Sequence, residues 1–105
     1  MVEMEQELAG KVAIVTGSAR NIGRATALEL VRAGAALIIN ARTSKDLCEQ
    51  VAQEIVSEGG RALPFVADIT DADAVARMVG AAVSEFGGVD ILVNNAAVRG
   101  RKPFI

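Results

Sequence analysis

The sequence predicts an α/β fold, one open, doubly wound sheet of parallel strands with helices on both faces. Three observations predict it. Short apolar runs alternate with longer stretches of helical period in the order β-α-β-α-β-α-β. Strands joined through helices of ten or more residues pair in parallel through right-handed crossovers. The runs also carry apolar residues at both alternating positions, as strands covered on both faces do.

Each element has its own signal. Val12 to Thr16 is a β-branched apolar run ended by a turn, and it reads as the first buried strand. Ile22 to Ala33 reads as a helix closed at Gly34. Ala36 to Ala41, "ALIINA", is the second strand, after which Thr43 or Ser44 can cap the next helix. In that helix Leu47, Cys48, Val51, Ala52, Ile55 and Val56 form an apolar stripe that Gly59-Gly60 ends. "RALPFVA" is the third strand, with Pro64 pointing to an edge or a bulge. "TDAD" resembles a capping box, with Thr70 as the cap and Asp73 three residues on. Val75, Met78, Val79, Ala82, Val83 and Phe86 follow at helical spacing, Gly87-Gly88 stops the helix, and "DILVNN" is the fourth strand.

Composition excludes several functions. The chain has 105 residues, 51% of them hydrophobic, which bounds it to one domain with a real core. With 11 basic and 13 acidic residues, nothing in the charge balance selects nucleic acid or an anionic membrane as partner. Three aromatic residues, all Phe, make no base-stacking platform. The absence of histidine removes imidazole bases, His-based triads and most zinc sites. Cys48 is the one cysteine, so no intramolecular disulfide forms, and its place on a helical stripe reads as core filling. "MVEMEQELAG" is acidic and lacks an apolar signal core, and no run approaches membrane-spanning length, so the expected location is cytoplasmic.

The stretch that carries chemistry is "TGSARNIG", residues 16–23. A strand, a glycine turn and a helix N-terminus together point free N–H groups and a positive dipole end at an anion. Gly17 permits the tight turn, and Gly23 lets the helix pack close to the strand. No Gly-Lys-Ser/Thr follows, so a Walker loop does not fit, nor does G-x-G-x-x-G. Asn21 is the non-glycine residue that best tolerates positive φ, which the middle of such a loop often needs. From the turn alone, a phosphate loop and an ordinary polar turn both stay open.

"TGSARNIG", "ADITD" and "DILVNNAA", in that order and at that spacing, resemble the short-chain dehydrogenase/reductase family. The family counterparts are T-G-x-x-x-G-x-G, a D-V/I segment after the third strand, and N-N-A-G after the fourth. The resemblance spans residues 11 to 97 and leans toward the 3-oxoacyl-carrier-protein reductase-like members. Asn21 and Ala97 stand where the family usually has glycine, a departure expected to lower cofactor affinity without forbidding binding. The resemblance implies a Rossmann-type sheet of order 3-2-1-4 with a nicotinamide dinucleotide at the carboxyl ends of its strands. It implies cofactor contacts from Gly17, Ser18, Ala19, Arg20, Asn21, Ile22 and Gly23. It places Asp68 on the adenine amino group, the Ile69 backbone against the ring, Asn95 against the ribose with Ala96 beside it, and Asn94 between strands. The plainer readings are a turn-starting Asp68 and a polar strand end at Asn94 and Asn95.

The second strand ends Ile39-Asn40-Ala41-Arg42, with no carboxylate before Asp46. An acidic residue there would take the ribose diol of NAD, whereas a cation takes the 2′-phosphate of NADP. Arg42 offers a planar, permanently charged fork. By resemblance Arg20 supplies a second cation. NADP is therefore favoured over NAD, against the alternative that both arginines are solvated loop cations. Arg99, Arg101 and Lys102 read as a solvated loop, and the Asp71/Asp73 pair as capping rather than a metal site.

The family's proton-transfer residues are Tyr-x-x-x-Lys with Ser and a further Asn, and the chain contains no tyrosine. No catalytic residue is therefore assigned. Residues 1–105 are expected to be the N-terminal dinucleotide-binding part of a single, truncated domain, since a fourth strand beside the first would leave an apolar edge. The expected parent is an NADP(H)-dependent enzyme interconverting a carbonyl and an alcohol, a homotetramer by resemblance. The alternative is a catalytically inactive nucleotide-binding or interaction module that needs a second chain.

Overall fold

A computed structural model describes residues 7–95. The element order is β1 (Val12–Val15), α1 (Asn21–Arg32), β2 (Ala36–Ala41), α2 (Lys45–Ser57), β3 (Ala62–Val66), α3 (Ala72–Phe86) and β4 (Ile91–Val93). The strands form one sheet of order β3-β2-β1-β4. Every pairing is parallel, with Ile14 opposite both Ile38 and Leu92, and Ile38 opposite Leu63. This is the Rossmann-like α/β arrangement expected. Ala96, Ala97, Arg99, Arg101 and Lys102 lie outside the described residues.

Strand alternation builds two apolar layers. Ala13, Val15, Leu37 and Ile39 face α1 and α2, where Ala27, Cys48, Val51, Ala52 and Ile55 meet them. Val12, Ile14, Ala36 and Ile38 face α3, where Ala74, Met78 and Ala82 meet them. Burying a side chain such as Ile38 stabilises the fold by roughly 1.5–3 kcal/mol. Exposed Arg24 and Glu54 join α1 to α2 at 2.7 Å. Cys48 is fully buried, its Sγ donates to the Ile39 carbonyl at 2.8 Å, and burial pushes its thiol pKa up.

Three expectations are corrected. The cap of α3 is Asp71, not Thr70, and its carboxylate accepts the N–H groups of Asp73 and Ala74. Thr70 instead turns back, donating both its N–H and its hydroxyl to Asp68 Oδ1. Ser44 occupies the cap position of α2 but makes no side-chain capping bond, and its hydroxyl instead accepts from the Arg20 guanidinium at 2.9 Å. Val56, Val79 and Val83 are exposed despite their places on the helical stripes. For α3 the reason is geometric, since no described strand lies beyond β4 for that flank to cover, and Leu92 on the same face is 65% exposed.

Pro64 sits on β3, an edge strand of the described sheet, where a missing N–H costs no ladder bond on the open side. Parallel pairing sends all four carboxyl ends to one edge of the sheet. There the 16–23 turn leaves β1, Arg42 to Ser44 leave β2, Asp68 follows β3, and Asn94 and Asn95 follow β4.

Candidate functional site

The turn after β1 is shaped by two residues in the left-handed region. Gly17 has φ 63°, and Asn21, the one described non-glycine residue with positive φ, has φ 59°. Glycine enters that region freely, and Asn enters it at lower cost than other side chains. Arg20 is the cap residue of α1, with extended backbone and no side-chain capping bond, and no acidic residue stands in the first turn. The first helical hydrogen bond runs from Arg24 N–H to Arg20 C=O at 3.2 Å. The amides ahead of it lie at the positive end of the helix dipole without a carboxylate to neutralise it.

The turn is fastened from below. Thr16 Oγ1 donates to Asn94 Oδ1 at 3.1 Å and accepts the Asn95 N–H at 2.8 Å. Thr16 N–H donates to the Val93 carbonyl at 3.0 Å, so β1 and β4 are tied where both end. Asn95 Nδ2 reaches the Gly17 carbonyl at 3.4 Å. Gly23 faces the same carbonyl so closely that a Cβ there would overlap it, and would stand 2.7 Å from Asn95 Nδ2. Gly17, Gly23 and Asn95 thus converge on one spot.

The remaining candidates divide between surface and support. A cleft of about 210 Å³ is lined by Gly17, Ala19, Arg20, Asn40, Ala41, Arg42, Thr43 and Ser44. Arg20 and Arg42 bring its positive charge. Arg42 is 73% exposed, and its Nε lies 3.6 Å from Asp68 Oδ2. The hydroxyl and N–H of Thr70 hold the Asp68 carboxyl below its usual range, with a smaller contribution from Arg42. Ile22 is 73% exposed, whereas Ala19 and Ser18 are buried. Ser18 spends its hydroxyl on the Val15 carbonyl at 2.6 Å, so it supports the turn from beneath. Ile69 is half-buried beside Asp68, and Ala96 lies outside the described residues.

Two features were missed in the sequence. The Arg42–Asp68 pair joins residues from different strand ends, and no local pattern announces it. In the sequence Asn40 signals only the lack of a carboxylate, yet it is buried beneath the turn. A polar residue inside the run "ALIINA" was the available signal, because buried polar groups are hydrogen-bonded to something.

A family model described as short chain dehydrogenase matches residues 11–105. This chain belongs to the short-chain dehydrogenase family. Hydroxynaphthalene reductase-like protein Arp2 of Metarhizium anisopliae is 43% identical over 101 residues, 96% of this chain and 38% of that protein. A dehydrogenase/reductase from Sinorhizobium meliloti 1021 matches in structure with a TM-score of 0.84 at 40% identity, covering 90% of this chain and 38% of that one. A metagenomic short-chain oxidoreductase in complex with NADP matches with a TM-score of 0.79 at 39% identity, covering 88% of this chain and 41% of that one. The chain therefore spans about two fifths of the length of these short-chain dehydrogenase relatives. The family is one of oxidoreductases that use NAD(P), and the described residues of this member bring strand ends, a glycine turn and two arginines to the carboxyl edge of the sheet. Among those residues no helix is long and apolar enough to cross a membrane.

Proposed function

We propose that this chain is the cofactor-binding part of an NADP(H)-dependent oxidoreductase that interconverts a carbonyl and an alcohol. The observation that carries the reading is the cleft between the 16–23 turn and the end of β2, which Arg20 and Arg42 line beside the uncapped N-terminus of α1. The donor set fits a phosphorylated dinucleotide. Amides at the dipole end suit a pyrophosphate, and two guanidinium groups suit a 2′-phosphate. Gly23, which has no room for a Cβ against the Gly17 carbonyl, lets α1 begin directly beneath the turn, so its free amides stand close to the anion they would hold. The NADP complex of the metagenomic relative supports the same choice.

In this reading Gly17 to Gly23 hold the pyrophosphate, Arg20 and Arg42 the 2′-phosphate, Asp68 and Ile69 the adenine, and Asn95 with Ala96 the ribose beyond it. When bound, the nicotinamide supplies or accepts a hydride. The chain's own groups bind and orient it, while proton transfer to the substrate oxygen falls to residues of the full-length protein outside this chain. That protein is expected to be a cytoplasmic homotetramer, which light scattering tests. The 3-oxoacyl-carrier-protein reductase-like assignment and the hydroxynaphthalene reductase-like relative suggest two ketone classes. Turnover of a 3-oxoacyl thioester against a hydroxynaphthalene-derived ketone separates them.

The cofactor reading is tested by Arg42→Ala in the full-length protein. Charge-assisted hydrogen bonds contribute about 1.5–3 kcal/mol, so the NADPH dissociation constant should rise roughly 10- to 100-fold. The NADH constant should move less than about twofold, because that ribose carries no phosphate for Arg42 to hold. Equal losses for the two cofactors would remove Arg42 from the 2′-phosphate.

A further inference from the structure

Asn40 is 1% exposed, in the fifth position of a strand that is otherwise apolar. Its Oδ1 accepts the Gly17 N–H at 3.0 Å. Its Nδ2 donates to the Phe65 carbonyl at 3.1 Å and the Ala67 carbonyl at 3.2 Å, and lies 3.4 Å from the Ala41 carbonyl. A donor on one side and carbonyls on the other assign the two ends of the amide. The backbone of the same residue adds two bonds. Its N–H donates to Ser18 Oγ at 2.8 Å, and its carbonyl accepts the Ser18 N–H at 2.8 Å.

The peptide N–H groups of Gly17 and Ser18, in the first half of the glycine turn, therefore both end on Asn40. The side chain that holds the Gly17 N–H also holds the carbonyls of Phe65 and Ala67, on the strand end that leads to Asp68. With φ at 63°, Gly17 sits where the direction of its peptide sets where the following amides point. We propose that Asn40 is a positioning residue that aims the 17–23 turn and locks it to the end of β3, making the anion-facing amides and the Asp68 side of the cleft one rigid cradle. This rests on the dinucleotide reading. Asn40 acts through Gly17 and Ser18. Other residue types forfeit part of the set. Asp turns acceptors on two carbonyls, Leu leaves the Gly17 N–H without its acceptor, and Ser is shorter and gives up at least one side.

The test compares Asn40→Ser with Cys48→Ala in the full-length protein. Cys48 is a suitable control because its thiol bonds the Ile39 carbonyl of the same strand, one residue before Asn40, rather than an amide of the turn. Dissociation constants for NADPH and NADH, kcat and KM, urea stability, and exchange of the Gly17 amide by NMR are measured on each. Loss of one anchoring hydrogen bond corresponds to roughly tenfold in an equilibrium constant. Asn40→Ser should raise both dissociation constants about tenfold with their ratio held within about twofold, raise KM with kcat little changed, and speed Gly17 exchange about tenfold. Cys48→Ala should lose stability with both dissociation constants unchanged. If Asn40→Ser loses stability yet binds both cofactors as before, or loses NADPH alone, the inference is overturned. Should Asn40→Ser fail to fold, Ser18→Ala removes one strand of the same link. It should weaken both cofactors together, and unchanged binding there overturns the inference equally. Failure of the unaltered protein to bind either dinucleotide overturns the dinucleotide reading and this inference with it, whereas unchanged constants in Asn40→Ser overturn this inference alone.

Discussion

Replacing Gly23 by Ala sets two effects of opposite sign against each other inside one helix. Alanine is the better helix former by up to about 1 kcal/mol, so propensity alone predicts a gain. Packing predicts a loss. A Cβ at position 23 would overlap the Gly17 carbonyl oxygen and stand 2.7 Å from Asn95 Nδ2 and 2.9 Å from the Gly17 carbonyl carbon. The Asn95 side chain is exposed and can swing away, giving up its 3.4 Å contact with Gly17. Gly17 has no such freedom, because its N–H is held by Asn40 at 3.0 Å and its φ is already 63°. The backbone must therefore shift, and overpacking of this kind costs about 1–3 kcal/mol. The loss wins, leaving Gly23→Ala less stable by on the order of 1–2 kcal/mol. Gly80 provides the comparison. It lies in the middle of α3, and nothing stands within 4 Å of the Cβ it would gain. Gly80→Ala should therefore be more stable by roughly 0.5–1 kcal/mol. Urea denaturation followed by circular dichroism, on both variants and the unaltered protein, gives the difference directly. A Gly23→Ala protein as stable as Gly80→Ala would refute the close approach of α1 to the turn.

Two further outcomes are expected. Asn21 at φ 59° makes Asn21→Gly neutral or slightly stabilising, while Asn21→Val should cost about 1–2 kcal/mol, and equal stability of the two in urea would contradict the left-handed backbone. Thr70→Val removes the hydroxyl that lowers Asp68, so the Asp68 carboxyl, followed by NMR titration, should move up toward the ordinary 3.8. Because its folded pKa lies below the unfolded one, the stabilisation from this carboxylate is complete above about 3.8 and is lost as pH falls through the folded value, so the variant should differ from the unaltered protein at pH 7 and converge with it in strong acid. An unmoved Asp68 titration would show that the Thr70 hydroxyl does not hold it.

Local chemistry decided which of these features could be read in advance. The second strand, Ala36–Ala41, was legible to the residue, because a run apolar at every position but Asn40 lies between Gly34 on one side and Arg42 on the other. Asn21 was legible because few side chains tolerate positive φ. The start of α3 was displaced by one residue, since Thr70 and Asp71 are both good caps and only the turn back to Asp68 reserves Thr70 for another bond. Side-chain partners across elements were not legible. Arg20 with Ser44, Arg42 with Asp68, and Asn40 with Gly17, Phe65 and Ala67 are brought together by parallel pairing, which no short-range spacing encodes. The exposed valines follow the same logic, because periodicity identifies a stripe but not how wide a sheet lies beneath it.

The cleft also bears on how a carboxylate can sit beside an arginine proposed to hold a phosphate. Asp68 lies 3.6 Å from Arg42, which on charge alone would oppose a 2′-phosphate at that place. Two details weaken the objection. Both groups are well exposed, at 73% for Arg42 and 40% for Asp68, and exposed ion pairs at such separation contribute little. The Asp68 carboxylate is fixed chiefly by Thr70 through its other oxygen, Oδ1, so it does not depend on Arg42 for its orientation. Arg42 can therefore turn to a phosphate without disturbing Asp68. The phosphate offers it a charge-assisted, two-pronged partner in place of one contact at 3.6 Å. A carboxylate held by its own turn and a guanidinium held only weakly would give the two ends of an adenosine phosphate separate binding groups, as the proposed NADP reading calls for.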